Sequence, residues 1–230
     1  MNWSDVTIFQ YQQMQNLFAK KESGDTELDI AVKTLAILTN RTESQIDSLS
    51  VKELTKQLKE IEFVTNSEPQ PKPADYIKVN GRRYRCVYDV RNMPYSRYIE
   101  TKFFADDTLN NLHKIGASMI RPMKKTWIGW KLDKFDASKH QDYAQDLLEA
   151  PFEQVFGSVV FFCQVFTDSI KSLADYFKKE MIKKGMTPEQ AVTQVEILCE
   201  SMDGFIKLRS LPNTKESNLK KPTKFQQFKH

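Results

Sequence analysis

Tyr76-Ile77-Lys78-Val79-Asn80-Gly81-Arg82-Arg83-Tyr84-Arg85-Cys86-Val87-Tyr88-Asp89-Val90 is the clearest local signal in this sequence. Asn-Gly between two β-prone runs favours a type I′ turn, which needs positive φ at both central residues and matches the twist of paired strands. The spacing predicts a two-stranded hairpin. In that register Ile77 and Val79 share a face with Tyr84, Cys86 and Tyr88, while Lys78, Arg83 and Arg85 point the other way. A hairpin alone is marginal in water, so its apolar face needs cover from the helices that follow or from a neighbouring subunit.

Immediately upstream the chain reads TNSEPQPKPAD over residues 65–75. Prolines at every second position remove backbone donors and forbid helix, which predicts an extended linker and a domain boundary. Residues 1–64 before it read as a small helical domain. Ser4 or Asp5 can cap a first helix carrying Ile8, Tyr11, Met14, Leu17 and Phe18, broken at Ser23-Gly24-Asp25. A second helix carries Leu28, Ile30, Ala31, Leu35 and Leu38 and ends at Asn40. A short helical turn around Ile46 follows. Ser50 and Glu53 then have the spacing of a capping box, and Leu54, Leu58 and Ile61 form the buried stripe of the helix it opens.

Downstream, residues 76–211 read as the hairpin plus a larger helical domain. Residues 106–121 have helical spacing, with Leu109, Leu112, Ile115, Met119 and Ile120 on one side, and Pro122 is expected to stop that helix. Trp127-Ile128-Gly129-Trp130, with Leu132 and Phe135, reads equally as a loop or a short strand. Helices are expected from His140 to Leu148 and from Phe152 to Lys179 or Lys183, with Gly185 as the stop. Thr187-Pro188-Glu189-Gln190 is a capping box that opens a last helix through Ala191, Val195, Leu198 and Met202. Residues 212–230 are polar and basic, a tail expected to order only on a partner. The predicted fold class is mainly α with a small β-hairpin and a disordered basic C-terminal tail.

Composition agrees with a packed helical protein. Of 230 residues, 40% are hydrophobic and 11% aromatic, and fifteen phenylalanines stand against seven glycines, too few for a sandwich or barrel that needs one at each turn. Cys86, Cys163 and Cys199 cannot all pair with one another and form no CxxC, which points to a reducing compartment. The N-terminus lacks a secretory pattern, and the apolar run from Val155 to Phe166 is far short of the roughly 20 residues that span a bilayer. No membrane association is expected. The net charge of +4 equals that of the tail alone, where five lysines from Lys215 onward meet one glutamate, so polyanion affinity is expected to reside in the tail.

No catalytic constellation emerges. His113 lies among Leu109, Leu112 and Ile115, a setting for a packed or surface histidine. His140 and His230 have no nearby nucleophile or second ligand. Nucleotide, zincin and nucleophile-elbow motifs are missing. Asp106-Asp107, Asp142 and Asp146 fit the early turns of helices, where the dipole favours carboxylates. The expectation is no enzyme, no cofactor and no metal. Candidate partner contacts are Tyr76, Ile77, Val79, Arg83 and Arg85 on the hairpin, Phe161 and Phe162 on the long apolar helix, and Lys220, Lys221, Lys224, Phe225 and Phe228 in the tail. The helix, apolar around most of its circumference, belongs to a core or to a partner interface. The hairpin's mixture of arginine and tyrosine is of the kind used to bind single strands, but the favoured reading is an exposed, charged strand face that discourages edge pairing.

Trp3–Met14 (WSDVTIFQYQQM), the Leu28–Leu38 helix, Thr42–Leu54 (TESQIDSLSVKEL), the strand pair around Asn80-Gly81, Arg97–Glu100 (RYIE) and the apolar block Phe152–Phe166 together resemble structural proteins of tailed phages that infect Bacteroidetes. These include ring proteins of crAss-like phage tails and proteins labelled tail assembly chaperones, and the resemblance covers roughly residues 5 to 170. It implies a virion protein, made in the host cytoplasm, that repeats around a symmetry axis and contacts copies of itself and neighbouring tail or portal-proximal proteins. It implies no catalytic residues. A closed ring requires a head-to-tail interface. The alternatives are a tail assembly chaperone absent from the mature particle and a nucleic-acid-binding accessory protein, with nucleic acid through the tail the less favoured partner.

Overall fold

A computed structural model of the chain describes residues 1–20, 25–89, 104, 107–134 and 136–201. The expectations for Arg97–Glu100, for the 212–230 tail and for Lys220, Lys221, Lys224, Phe225 and Phe228 lie outside these residues.

The protein is mostly helical, with a small antiparallel four-stranded sheet. The N-terminal helices are α1 (Ile8–Ala19), α2 (Glu27–Thr39), α3 (Glu43–Asp47), α4 (Val51–Glu60) and the single turn α5 (Phe63–Asn66). Side-chain caps set the start of the first four: Thr7 with Gln10, Thr26 with Asp29, Thr42 with Gln45 and Ser50 with Glu53 form reciprocal capping boxes. Ser4 and Asp5 do not cap α1 as expected. They belong to a preceding 3-10 turn, Trp3–Asp5, capped by Asn2, and Thr7 takes the role because its hydroxyl reaches the Gln10 amide. Asn40, at φ 53°, ends α2 in the left-handed region that asparagine tolerates.

The hairpin has the expected register. β1 (Tyr76–Val79) and β2 (Arg82–Cys86) pair Ile77 with Tyr84 and Lys78 with Arg83, and Asn80 and Gly81 take φ 51° and 72° as the turn requires. It does not stand alone. After α6 (Leu112–Met119), β3 (Ile120–Thr126) pairs with β2, and β4 (Gly129–Leu132) pairs with β3, in the order β1-β2-β3-β4. Helix therefore ends at Met119, before Pro122, and Pro122 lies inside a strand. Its carbonyl accepts from the Asp133 amide at 2.8 Å, so its missing N–H points the same way, past the end of β4 and away from β2. Of the two readings of residues 127–132, the strand holds for Gly129–Leu132, with Trp127 and Ile128 as the turn.

Three further helices are described: α7 (His140–Leu148), the 32-residue α8 (Phe152–Lys183), and α9 (Pro188–Ser201), which turns back along α8 after Gly185 at φ 92°. The Thr187–Gln190 box closes as expected. In the first turns of α8, Phe152, Val155, Phe156, Val159, Phe162 and Cys163 face the core.

Residues 65–75 do not divide that core. One hydrophobic cluster joins Ile8, Tyr11, Met14, Leu35 and Ile46 to Ile77, Tyr84, Ile115, Leu147 and Phe152, so the N-terminal helices pack within their own chain. Tyr11 stacks on Phe152 with centroids 3.6 Å apart, and Trp3 packs edge-on against Phe63 at 5.3 Å. Main-chain bonds from Ile8 to Ala150 and from Phe152 to Val6 pin the N-terminus to the α7–α8 corner. The proline-rich segment runs as a strap over α8: Ala74 donates to Ser158 Oγ at 3.1 Å, Gln70 donates to Glu153 Oε1 at 2.7 Å, and Tyr88 Oη donates to the Ala74 carbonyl at 2.7 Å.

Candidate functional site

Strand alternation divides the sheet's side chains between two environments. One face, with Ile77, Val79, Tyr84, Cys86 and Ile120, is buried against the helices. Tyr84 meets Tyr143 of α7 edge-on at 5.8 Å, and Cys86 Sγ lies 3.8 Å from Ser158 Oγ of α8. The register puts Tyr76, Lys78, Arg83, Arg85, Arg121, Met123, Lys125, Trp130 and Leu132 together on the other face.

That second face is cationic. The four strands hold eight lysines and arginines and no aspartate or glutamate. Arg82 and Lys124, on the inner side, are neutralised by Asp146 at 2.9 Å and Asp133 at 3.3 Å. Lys78, Arg83, Arg85, Arg121 and Lys125 form no ion pair among the described residues. Rings are interleaved with them. The Arg83 guanidinium carbon sits 4.1 Å from the Tyr76 centroid and 5.8 Å from that of Trp130, with Arg85 5.9 Å from Tyr76. Each such contact contributes about 0.5–1 kcal/mol at an exposed site and holds the guanidinium flat over the sheet. Arg121 donates through Nη2 to the Asp133 carbonyl at 3.1 Å, while the Nε–H groups of Arg83 and Arg121 are buried with no acceptor among the described residues. At the β3–β4 turn, Trp127 is 94% exposed.

The other polar groups hold the fold. Asp146 accepts from Tyr84 Oη, Arg82 and Asn80, tying the hairpin to α7, and burial together with that carboxylate pushes the Tyr84 hydroxyl well above its ordinary range. Gln12 Nε2 donates to the carbonyls of Leu109 and Asn110 and lies 3.2 Å from His113 Nδ1. Burial, with Lys114 and His140 nearby, lowers the His113 pKa to about 4. His140 Nε2 lies 3.1 Å from Ser118 Oγ and 3.2 Å from the Lys114 carbonyl. Burial raises the Cys163 thiol to about 12. Among the described residues, no three of His, Cys, Asp and Glu converge as a metal site requires, and no helix is long and apolar enough to cross a membrane.

The residues expected to touch partners separate clearly. Tyr76, Arg83 and Arg85 come together on the outer sheet face, and Phe161 is partly exposed on α8, edge-on to Tyr88 at 4.9 Å. Ile77, Val79 and Phe162 are out of a partner's reach, because they fill the core between the sheet and α8. Sequence reasoning missed Arg121, Met123, Lys125 and Trp130. Their alternation in Ile120–Thr126 was a readable strand signal, overridden by Pro122, which argues against a strand wherever its N–H side is unknown.

Compared with protein-family models, curated proteins and solved structures, the chain matches none.

Proposed function

We propose that this chain is a structural assembly protein, a ring component of a bacteriophage tail or neck that works by holding macromolecules rather than by catalysis. The observation that supports the reading is the outer face of the sheet: a surface four strands wide, with two rings and five cations that form no ion pair among the described residues. A face of this kind engages an extended partner. The phage setting rests on the resemblance of residues 5 to 170 to tail-ring and tail-assembly proteins. The second reading, a tail assembly chaperone, uses the same face during assembly and then leaves.

Mass spectrometry of purified virions, with the abundance of this chain scaled to the portal protein, separates these readings. The ring reading expects one or a few multiples of the portal count. Absence from virions despite expression in infected cells overturns it in favour of the chaperone.

A further inference from the structure

We propose that the outer face of the sheet binds single-stranded nucleic acid, with Arg83, Arg85, Arg121 and Lys125 on the phosphates and Tyr76 and Trp130 as stacking platforms for bases. The proposal rests on the reading of this face as the working surface and names its occupant.

Charge comes first. The strands carry cations and no acids, so the face complements a polyanion and repels a basic partner. The rings narrow the choice. Tyr76 and Trp130 stand on the two edge strands with Arg83 between them, 4.1 Å from one ring and 5.8 Å from the other. Alternating flat rings and guanidinium planes across an open sheet let bases stack while phosphates pair with the arginines, which is how sequence-tolerant single-strand binding works. A duplex hides its base faces and would use only the cations. An acidic protein surface would also leave the rings unemployed. An anionic bilayer would be met through the exposed Trp127 and Ile128 at the β3–β4 turn and would leave Tyr76, on the far edge strand, unemployed.

The test uses the full chain and a fluorescein-labelled oligothymidylate, read by anisotropy across a salt series, with a duplex of matched length, heparin and phosphatidylserine vesicles as competitors. The expected result is binding to the single strand that weakens steeply with salt and tighter than to the duplex, with Trp130 fluorescence quenched on binding. Trp130→Ala should weaken affinity by about tenfold, within the range for loss of one stacked base. The double variant Arg83→Glu, Arg85→Glu should abolish binding and flatten the salt dependence. Circular dichroism and thermal melting check that each variant folds, and Lys125→Glu at an exposed position gives a second charge test that leaves the arginine–ring stack in place. Equal or tighter duplex binding, an unchanged affinity in Trp130→Ala, or stronger capture by vesicles or heparin overturns the proposal. So does binding that disappears on removing residues 214–230 while the sheet variants bind normally. The ring reading stands or falls separately, on the virion composition.

Discussion

Gly157 shows at the residue scale how one position couples distant parts of the chain. A Cβ there would lie 2.5 Å from the backbone nitrogen and oxygen of Lys72, where the strap crosses α8. Glycine inside a helix costs about 1 kcal/mol relative to alanine, so its presence reflects the close approach rather than helix propensity. Gly157→Ala should therefore destabilise the protein by about 2–4 kcal/mol, because the obstacle is backbone and cannot rotate away. Urea unfolding should show a lower midpoint at unchanged slope. In the sequence Gly157 read only as an interruption of an apolar run, since nothing local shows that residue 72 will lie across it. His113 has a comparable hidden constraint. Two backbone carbonyls take the hydrogens of the Gln12 amide, so the nitrogen that lies 3.2 Å from His113 Nδ1 cannot accept, and a proton on Nδ1 would find no acceptor there. With its folded pKa lowered to about 4 against 6.5 when unfolded, the unfolded chain takes up the proton first. The contribution is complete above pH 6.5 and is lost as pH falls from there towards 4. For this partly exposed ring it is on the order of 2 kcal/mol. A His113→Leu variant, compared with wild type by urea unfolding at neutral and acid pH, should lose less stability on acidification than the wild type does.

At the scale of elements, structure fixed by neighbours in sequence was legible and structure fixed by distant partners was not. The Ser50–Glu53 and Thr187–Gln190 boxes and the Asn80-Gly81 turn form as their residue types require, because each needs only three or four adjacent residues. β3 escaped notice because its tolerance of Pro122 depends on where β4 ends. The hairpin is anchored to α7 by Asp146, which takes three donors from Asn80, Arg82 and Tyr84. Asp146→Ala leaves the fully buried Tyr84 hydroxyl without its acceptor and Arg82 without its counter-charge. The expected loss is about 2–4 kcal/mol, since breaking a partly buried pair leaves its partners unsatisfied. Asp146→Asn, which keeps acceptor oxygen but not charge, should recover part of it. Thermal denaturation of the two variants beside wild type measures both.

For the whole molecule, the informative quantity is where charge lies. Because the body's basic and acidic residues balance, sequence reasoning assigned polyanion affinity to the tail. Folding separates what the sum conceals, by bringing residues 76–86 and 120–132 into one sheet without a carboxylate in any strand. Half of the candidate face, Tyr76, Arg83 and Arg85, was legible from the hairpin register. The other half needed the β2–β3 pairing, which joins residues far apart in sequence and has no local signature.

The central claim, that this face is the working surface, is tested most directly by lysine methylation footprinting of the full chain with and without oligothymidylate, read by mass spectrometry. Lysines on the opposite side of the sheet serve as internal controls. The account predicts protection of Lys78 and Lys125 on the outer face, with Lys124, beside Lys125 on β3, and Lys131 on β4, both on the opposite side, modified as in the free protein. Protection of the tail lysines Lys220, Lys221 and Lys224 with Lys78 and Lys125 unprotected would contradict it.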